Sequence, residues 1–285
     1  MTRVLGVILL SVVLYTLYGC GKPESSLEIK GSDTMVNLGQ AFAEAYMKIN
    51  PQASISVMGG GSGVGIAALI NGDVDIAQSS REMKPEEMSA AKKKGMDPQE
   101  FTVAQDGVSV IVNPANRIQR LTIAQLAGIY TGEITNWKEL GGSDGKIVAV
   151  SRDKSSGTHV FFLEHVVQSR DKKAQYSRSV LMLASSRAIA DEVAQNPSAI
   201  GYVGMGYVEP SRHKVVAIAS SPDSEYIEPT EEEVLSGRYP IARPLYFYTP
   251  EKPTGVVKSF IDFVLSDDGQ KIVRAQEFVP IRIVK

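Results

Sequence analysis

The chain has 285 residues, a length typical of one or two globular domains with a sizeable core. Hydrophobic residues make up 43% and charged residues 22%, which excludes a fibrous or low-complexity protein. The net charge of −2 argues against a nucleic-acid-binding protein. Cys20 is the one cysteine, so intramolecular disulfides and thiolate zinc sites are excluded. The histidines His159, His165 and His213 lack the spacing of a helical zinc site, and we expect neither a metal nor a cofactor.

The N-terminus has the features of an export signal. The apolar run of residues 4–14 is shorter than the roughly 20 residues of a membrane-spanning helix. The following Leu17-Tyr18-Gly19-Cys20 resembles a bacterial lipobox, in which the cysteine thiol carries the lipid. We therefore expect a lipoprotein signal peptide at residues 1–19, lipidation at Cys20 and a membrane tether at residues 20–26. A retained anchor with an incidental cysteine is the alternative.

After the tether, apolar runs typical of strands alternate with helical periodicity, the pattern of an α/β protein. The pattern predicts strands at residues 27–30, 54–58, 74–77, 107–112, 147–151, 199–203, 215–219 and 243–248. Two helices have clear apolar faces, formed by Leu38, Phe42, Ala45, Tyr46 and Ile49 and by Val257, Phe260, Ile261 and Val264. Shorter helices are predicted at residues 66–70, 85–94, 123–130, 160–167, 187–194 and 269–275.

Three segments rich in glycine and hydroxyl residues each follow a strand and precede a helix. They are Gly31-Ser32-Asp33-Thr34, Gly59-Gly60-Gly61-Ser62-Gly63 and Ser155-Ser156-Gly157-Thr158, and Arg152 lies shortly before the third. Helix N-termini present free N–H groups and partial positive charge, and glycine permits close approach of a ligand. A guanidinium adds a fork of donors that fits a phosphate or carboxylate. The pattern indicates an anion site, with simple N-capping by Ser, Thr and Asp as the alternative.

Motifs of common enzyme classes match poorly. Gly63-Val64-Gly65-Ile66-Ala67-Ala68 fits a dinucleotide-binding pattern, but it follows the second strand and lacks an acidic partner about 20 residues on. Ser151-Arg152-Asp153-Lys154 fits S-x-x-K without the other motifs of that enzyme class. A cell-envelope serine hydrolase with Ser151 or Ser156 as nucleophile is the enzyme alternative.

Six motifs occur in a fixed order along the chain: Gly31-Ser32-Asp33-Thr34-Met35, Gly60-Gly61-Ser62-Gly63, Asp73-Val74-Asp75-Ile76-Ala77, Ile129-Tyr130-Thr131-Gly132-Glu133-Ile134-Thr135-Asn136-Trp137, Arg152 with Ser155-Ser156-Gly157-Thr158, and Ala199-Ile200-Gly201-Tyr202. With these motifs in this order, the chain after the tether resembles the substrate-binding proteins of phosphate-specific ABC transporters, the PstS family.

The resemblance implies a type II periplasmic-binding-protein fold, in which two α/β lobes are joined by two crossover segments and the ligand lies in the cleft between them. The first lobe would comprise residues 27–106 and 222–285, and the second residues 107–221. By position, the resemblance assigns phosphate binding to Thr34, Met35, Ser62, Ser80, Arg152, Ser156, Gly157 and Thr158.

One position departs from the family pattern. Better-known members have an aspartate where this chain has Ser80, and that aspartate accepts the proton of bound phosphate. A carboxylate there repels sulfate, which has no proton, whereas a hydroxyl can donate or accept. Asp33 or Asp106 is the alternative acceptor, and Arg81 either adds charge to the cleft or pairs with a surface acid.

The expected function is therefore that of an exported, membrane-anchored lipoprotein. It would capture inorganic phosphate as a monomer and deliver it to ABC transporter permease subunits without catalysing a reaction. A binding protein for sulfate, molybdate or a phosphonate is the alternative within the same class. The serine hydrolase named above and an adhesion or sensing module on the same fold are the alternatives from other classes.

Overall fold

The computed structural model describes residues 25–282, so the predicted signal peptide, Cys20 and most of the tether lie outside the described residues. Within this range the strands are β1 (Ser26–Gly31), β2 (Ser54–Met58), β3 (Ile76–Ser79), β4 (Gln99–Gly107), β5 (Ser109–Val112), β6 (Arg120–Thr122), β7 (Val148–Arg152), β8 (Leu181–Leu183), β9 (Ala199–Val203), β10 (Lys214–Val215), β11 (Ala217–Ala219) and β12 (Ala242–Thr249). The α-helices are α1 (Val36–Ile49), α2 (Ser62–Asn71), α3 (Pro85–Lys93), α4 (Ile123–Thr131), α5 (Gly157–Phe162), α6 (Ser186–Gln195), α7 (Glu231–Leu235), α8 (Gly255–Leu265) and α9 (Asp267–Ala275).

Two five-stranded sheets organise the fold, with the strand orders β2-β1-β3-β12-β4 and β10-β5-β9-β7-β8. In the first sheet, β1 pairs in parallel with β2 and β3, while β12 runs antiparallel between β3 and β4. In the second, β7 runs parallel to β8 and β9, and β5 runs antiparallel to β9 and β10. Strands β6 and β11 form a separate parallel pair. Each large sheet is the centre of one lobe, so the predicted α/β fold with two lobes is confirmed.

The chain passes between the lobes at two adjacent points. It leaves the first sheet at the end of β4 and returns to it where β12 begins. The two crossings are bonded to each other, since the Val108 N–H donates to the Ile241 carbonyl at 3.0 Å. Val234 and Tyr239, which lie in the predicted first-lobe range 222–285, pack in the core of the second lobe. This packing favours a return at β12, and the division of the chain into lobes stays a prediction.

The packing of the first sheet explains how the helices that lead to the cleft are fixed. Leu27 and Ile29 of β1 are fully buried and pack with Phe42 of α1 on one face of the sheet. On the other face, Ile66 of α2 packs with Tyr248 of β12. Burial of each such side chain contributes about 1.5–3 kcal/mol. Because the sheet fixes both helices, their N-termini are held at the ends of β1 and β2.

The structure corrects several of the predicted elements. The single strand expected at residues 107–112 is in fact the end of β4 followed by β5, and the one expected at 215–219 is divided between β10 and β11. Strands β4, β6 and β8 were not predicted. The helix expected at 160–167 begins earlier, as α5, and continues as a π-helical turn over Leu163–Val167. Ile49, predicted on the apolar face of α1, is exposed because α1 ends there.

Candidate anion-binding site

The site residues predicted from the sequence come together where the two lobes meet. The first lobe contributes the residues that follow β1 and β3 and the residue that begins α2. The second lobe contributes the last residue of β7 and the start of α5. All of the predicted residues are buried, namely Thr34, Met35, Ser62, Ser80, Arg152, Ser156, Gly157 and Thr158. The structure therefore places them together, while their binding of phosphate stays a prediction.

Hydroxyl groups from the two lobes are in direct contact. The Oγ1 atoms of Thr34 and Thr158 lie 2.8 Å apart across the cleft. In the first lobe, Ser62 Oγ accepts the Ser80 N–H at 3.0 Å and lies 3.3 Å from Ser80 Oγ. Gly157 approaches this pair so closely that a Cβ there would lie 2.3 Å from Ser62 Oγ and 2.7 Å from Ser80 Oγ. A glycine is required at this contact because a larger residue would separate the lobes.

The segment before α5 caps the helix and also contacts the first lobe. Ser156 is the N-cap, and its Oγ accepts the His159 N–H at 3.4 Å, as the capping alternative predicts. Ser155 Oγ donates to the Gly60 carbonyl at 3.0 Å, and the Ser155 carbonyl accepts the Gly63 N–H at 3.0 Å. The first N–H groups of a helix have no acceptor within it, so capping still leaves donors for an anion.

Met35 has an environment different from that of the other predicted residues. Its side chain is fully buried in the core of the first lobe. Its N–H donates to the Ser32 carbonyl at 3.1 Å. The structure thus gives Met35 a packing role, and donation of its N–H to an anion stays a prediction.

Arg152 is buried and paired across the cleft with Asp33. Arg152 Nη1 donates to Asp33 Oδ2 at 3.2 Å and to Ser186 Oγ at 3.1 Å, while Nη2 donates to the Ala184 carbonyl at 2.9 Å. The Ser186 N–H also donates to Asp33 Oδ2, at 2.7 Å. Arg152 Nε is buried without a hydrogen-bond partner in the described part of the chain. An unpaired buried donor costs about 1–3 kcal/mol, so this N–H is available to an acceptor from outside the chain.

A second buried ion pair, between Asp106 and Arg243, lies in the same region. The two residues are direct partners on β4 and β12, and Asp106 Oδ2 accepts Arg243 Nε at 3.0 Å and Nη2 at 2.8 Å. Arg243 also donates from Nη2 to Thr158 Oγ1 and from Nη1 to the Ser80 carbonyl, each at 3.0 Å. Burial lowers the pKa of Arg243, and the Asp106 charge opposes this shift. Arg243 was not predicted as a site residue; the available signal was an arginine within an apolar strand, because arginine is rarely buried unless it is paired.

The two carboxylates considered as proton acceptors are already hydrogen-bonded. Asp33 Oδ2 accepts from Arg152 and from a main-chain N–H, as described above. Asp106 accepts from Arg243 at Oδ2 and from the Met205 N–H at Oδ1, the latter at 3.0 Å. The Ser80 hydroxyl contacts another hydroxyl, which leaves it able to donate or accept. Which of these groups accepts the proton of a bound anion stays a prediction.

Arg81 has the second of its two predicted roles, pairing with an acid. Its Nη1 and Nη2 donate to the two carboxylate oxygens of Glu87 at 2.8 and 2.7 Å. Burial raises the pKa of Glu87, but the hydrogen bonds from Arg81 and from the Lys84 N–H outweigh this effect, and the pKa is lowered. The charge of Arg81 is therefore neutralised by Glu87 at the start of α3.

The geometry does not support the serine-hydrolase alternative. Ser151 is fully buried, and its Oγ lies 2.5 Å from the Tyr202 hydroxyl and 3.3 Å from His159 Nδ1. His159 Nδ1 lies 2.8 Å from the Arg152 carbonyl, an acceptor, so the proton is on Nδ1 and this atom is no base for Ser151. The other candidate nucleophile, Ser156, caps α5.

The chain is similar to known proteins over most of its length, both to a family profile and to individual relatives. Residues 21–268 match the profile of the PBP superfamily domain. The chain is 35% identical to the phosphate-binding protein PstS of Staphylococcus epidermidis over 260 residues, which cover 88% of this chain and 78% of that protein. It is 34% identical to the phosphate-binding protein PstS of Bacillus subtilis over 268 residues, covering 93% and 83% of the two chains.

The fold is also similar to a solved structure from Clostridium perfringens, which contains bound phosphate and is named as a phosphate ABC transporter substrate-binding protein. The TM-score is 0.81 at 34% sequence identity, and the match covers 90% of this chain and all of the other. Similarity of this extent, in sequence and in structure, shows the family. The chain belongs to the PstS family of phosphate-binding proteins, within the PBP superfamily, and has the type II periplasmic-binding-protein fold.

Proposed function

We propose that this protein binds inorganic phosphate in the cleft between its lobes and delivers it to the permease of an ABC transporter, without catalysing a reaction. The observation that carries the proposal is the buried N–H of Arg152 Nε, which has no acceptor among the described residues. It lies where the two lobes meet, as do the Thr34 and Thr158 hydroxyls. Relatives that match most of the chain are named phosphate-binding proteins, which supports phosphate as the ligand.

The charges of the site explain which forces would hold the anion. Arg152 is paired with Asp33, and Arg243 with Asp106, so these four groups carry no net charge. A bound phosphate would therefore depend on directed donors: the hydroxyl groups, the first N–H groups of α5 and Arg152 Nε. Hydrogen bonds to a charged group contribute about 1.5–3 kcal/mol each. Because these donors come from both lobes, the anion is satisfied when the lobes meet.

The location of the protein is also a proposal. Proteins of the PstS type act outside the cytoplasm, and we propose that a lipid on Cys20 anchors this one to the membrane. None of the helices between residues 25 and 282 has both the length and the apolar character needed to cross a bilayer. Replacement Cys20→Ala should release the exported protein from the membrane fraction into the soluble fraction. An unchanged membrane fraction would favour a retained anchor instead.

Isothermal titration of the purified protein, stripped of bound anion, tests the proposed ligand. We expect saturable one-to-one binding of phosphate at neutral pH and a much weaker response to sulfate. The site also gives a reason to test sulfate, because Ser80 presents a hydroxyl where a carboxylate would repel that anion. Equal binding of the two anions would make the protein a general oxyanion receptor, and binding of neither would refute the proposal.

A further inference from the structure

Arg243 forms an ion pair with Asp106 near the lobe crossings and also donates a hydrogen bond to the Thr158 hydroxyl on the opposite side of the cleft. Arg243 lies on β12 in the first lobe and Thr158 on α5 in the second, so their hydrogen bond spans the two lobes. Asp106 Oδ2 accepts both Nε and Nη2, which fixes the plane of the guanidinium. Nη1 donates to the Ser80 carbonyl. The guanidinium is therefore held in one orientation, with one N–H directed at Thr158.

This hydrogen bond determines what the Thr158 hydroxyl can do. A threonine hydroxyl has one proton and two lone pairs. Because Oγ1 accepts the Arg243 N–H at 3.0 Å, the hydroxyl keeps its own proton for donation. Accepting one hydrogen bond also strengthens the bond that the hydroxyl then donates. Within the protein, the neighbouring hydroxyl is that of Thr34, with its Oγ1 at 2.8 Å, and a bound anion would compete with it for the Thr158 proton.

We propose that Arg243, held in place by Asp106, is a positioning residue of the anion site that directs the Thr158 hydroxyl proton toward bound phosphate. The proposal rests on the proposed function, and it assigns Arg243 no contact with the anion itself. The Arg243–Thr158 bond forms between the lobes, so Thr158 becomes a directed donor as the lobes close. Lysine cannot replace this arrangement, because its single ammonium lacks the planar fork that reaches Asp106, Ser80 and Thr158 together.

A double-mutant cycle on the full chain tests the proposal. Phosphate affinity is measured by titration for the wild type, Arg243→Lys, Thr158→Val and the double variant. We expect Arg243→Lys to weaken binding about tenfold or more in the wild-type background, and less than about twofold in the Thr158→Val background. Thr158→Ser keeps the hydroxyl, so the full effect of Arg243→Lys should persist in that background. Equal losses in all three backgrounds would overturn the proposal, because a merely structural defect does not depend on this hydroxyl.

A second variant covers the case in which Arg243→Lys does not fold. Replacing both members of the pair, as Arg243→Met with Asp106→Leu, leaves no unpaired buried charge, and such replacements are often neutral for stability. The loss of phosphate affinity caused by this double replacement should likewise be smaller in the Thr158→Val background. Arg170→Lys is the matched control, since Arg170 is exposed and paired with Glu133 on the surface, and it should bind phosphate as the wild type does.

The wild-type titration separates the two proposals. If the wild type binds phosphate and the losses are independent of Thr158, the role of Arg243 is refuted and the proposed function stands. If the wild type binds no phosphate, the proposed function fails and the role of Arg243 fails with it.

Discussion

The substitution Gly157→Ala should disfavour closure of the lobes while leaving the stability of the fold unchanged or higher. Gly157 is the first residue of α5, and the atoms that a methyl group would meet there belong to the first lobe. Alanine is more favourable than glycine in a helix by up to about 1 kcal/mol, so the second lobe should fold at least as well. The unfavourable steric contact of the new methyl group arises only when the lobes approach each other.

The expected loss of affinity follows from the distances. The new Cβ would lie 2.3 Å from Ser62 Oγ, whereas ordinary contact begins at 3.4 Å, so the lobes must separate by about 1 Å. Such a shift lengthens the 2.8 Å contact between Thr34 and Thr158 beyond hydrogen-bond range. Loss of two hydrogen bonds to the anion, at about 1.5 kcal/mol each, weakens phosphate binding about a hundredfold.

Titration with phosphate, together with thermal unfolding in its absence, measures both quantities. The unfolding midpoint of Gly157→Ala should equal or exceed that of the wild type while affinity falls. Gly145→Ala is the matched control, because no atom lies within 4 Å of a Cβ placed there. Wild-type affinity in Gly157→Ala would show that this glycine does not face Ser62 in the bound protein.

Three further predictions concern charge and protonation. Arg152→Ala should weaken phosphate binding on the order of thirtyfold by titration, because a donor to the anion worth about 2 kcal/mol is lost; unchanged affinity would remove Arg152 from the site. Ser80→Asp should weaken sulfate binding more than phosphate binding in parallel titrations, because sulfate has no proton to give the new carboxylate, and an equal effect on both would contradict this reasoning. Burial lowers the pKa of His159 and of His213 in the folded protein. As the pH falls, the histidines of the unfolded chain are therefore protonated first, which stabilises the unfolded state. The free energy of unfolding, measured in urea, should decline from about pH 7 to about pH 5. Replacing both histidines by glutamine should flatten that decline, and an unchanged slope would contradict the assignment.

Sequence patterns predicted the elements that show a continuous apolar run, an alternation of apolar residues or one apolar helix face. Residues 54–58 and 199–203 are strands with the predicted ends, and α1 buries Leu38 and Phe42 on its predicted face. The pattern fails where a strand is very short, as in β6 and β8, or at the last residue of a helix, where the apolar Ile49 is exposed. In these places the tertiary contacts, and not the local period, determine the structure.

The ion pair between Asp106 and Arg243 was missed for a physical reason. Most of β4 was not predicted, and its last residue but one is the fully buried Asp106, a polar residue that interrupts the apolar pattern of a buried strand. Arg243 lies at the start of a strand that was predicted, yet its role depends on being opposite Asp106 on the neighbouring strand. That pairing joins residues far apart in sequence, so no local motif contains it. The glycine and hydroxyl segments, in contrast, are contiguous and were found.

Arg152, which was predicted from the sequence, and Arg243, which was not, have different relations to lobe closure. Arg243 pairs with Asp106 inside the first lobe and is therefore positioned before the lobes meet, whereas Arg152 pairs with Asp33 across the cleft as they meet. Where the lobes meet, Arg152 Nε is buried without an acceptor among the described residues, which costs about 1–3 kcal/mol. An anion that accepts from Nε removes that cost. In the proposed function, the atom that would donate to the ligand would thus also couple ligand binding to closure, because closure is favourable when the acceptor is present.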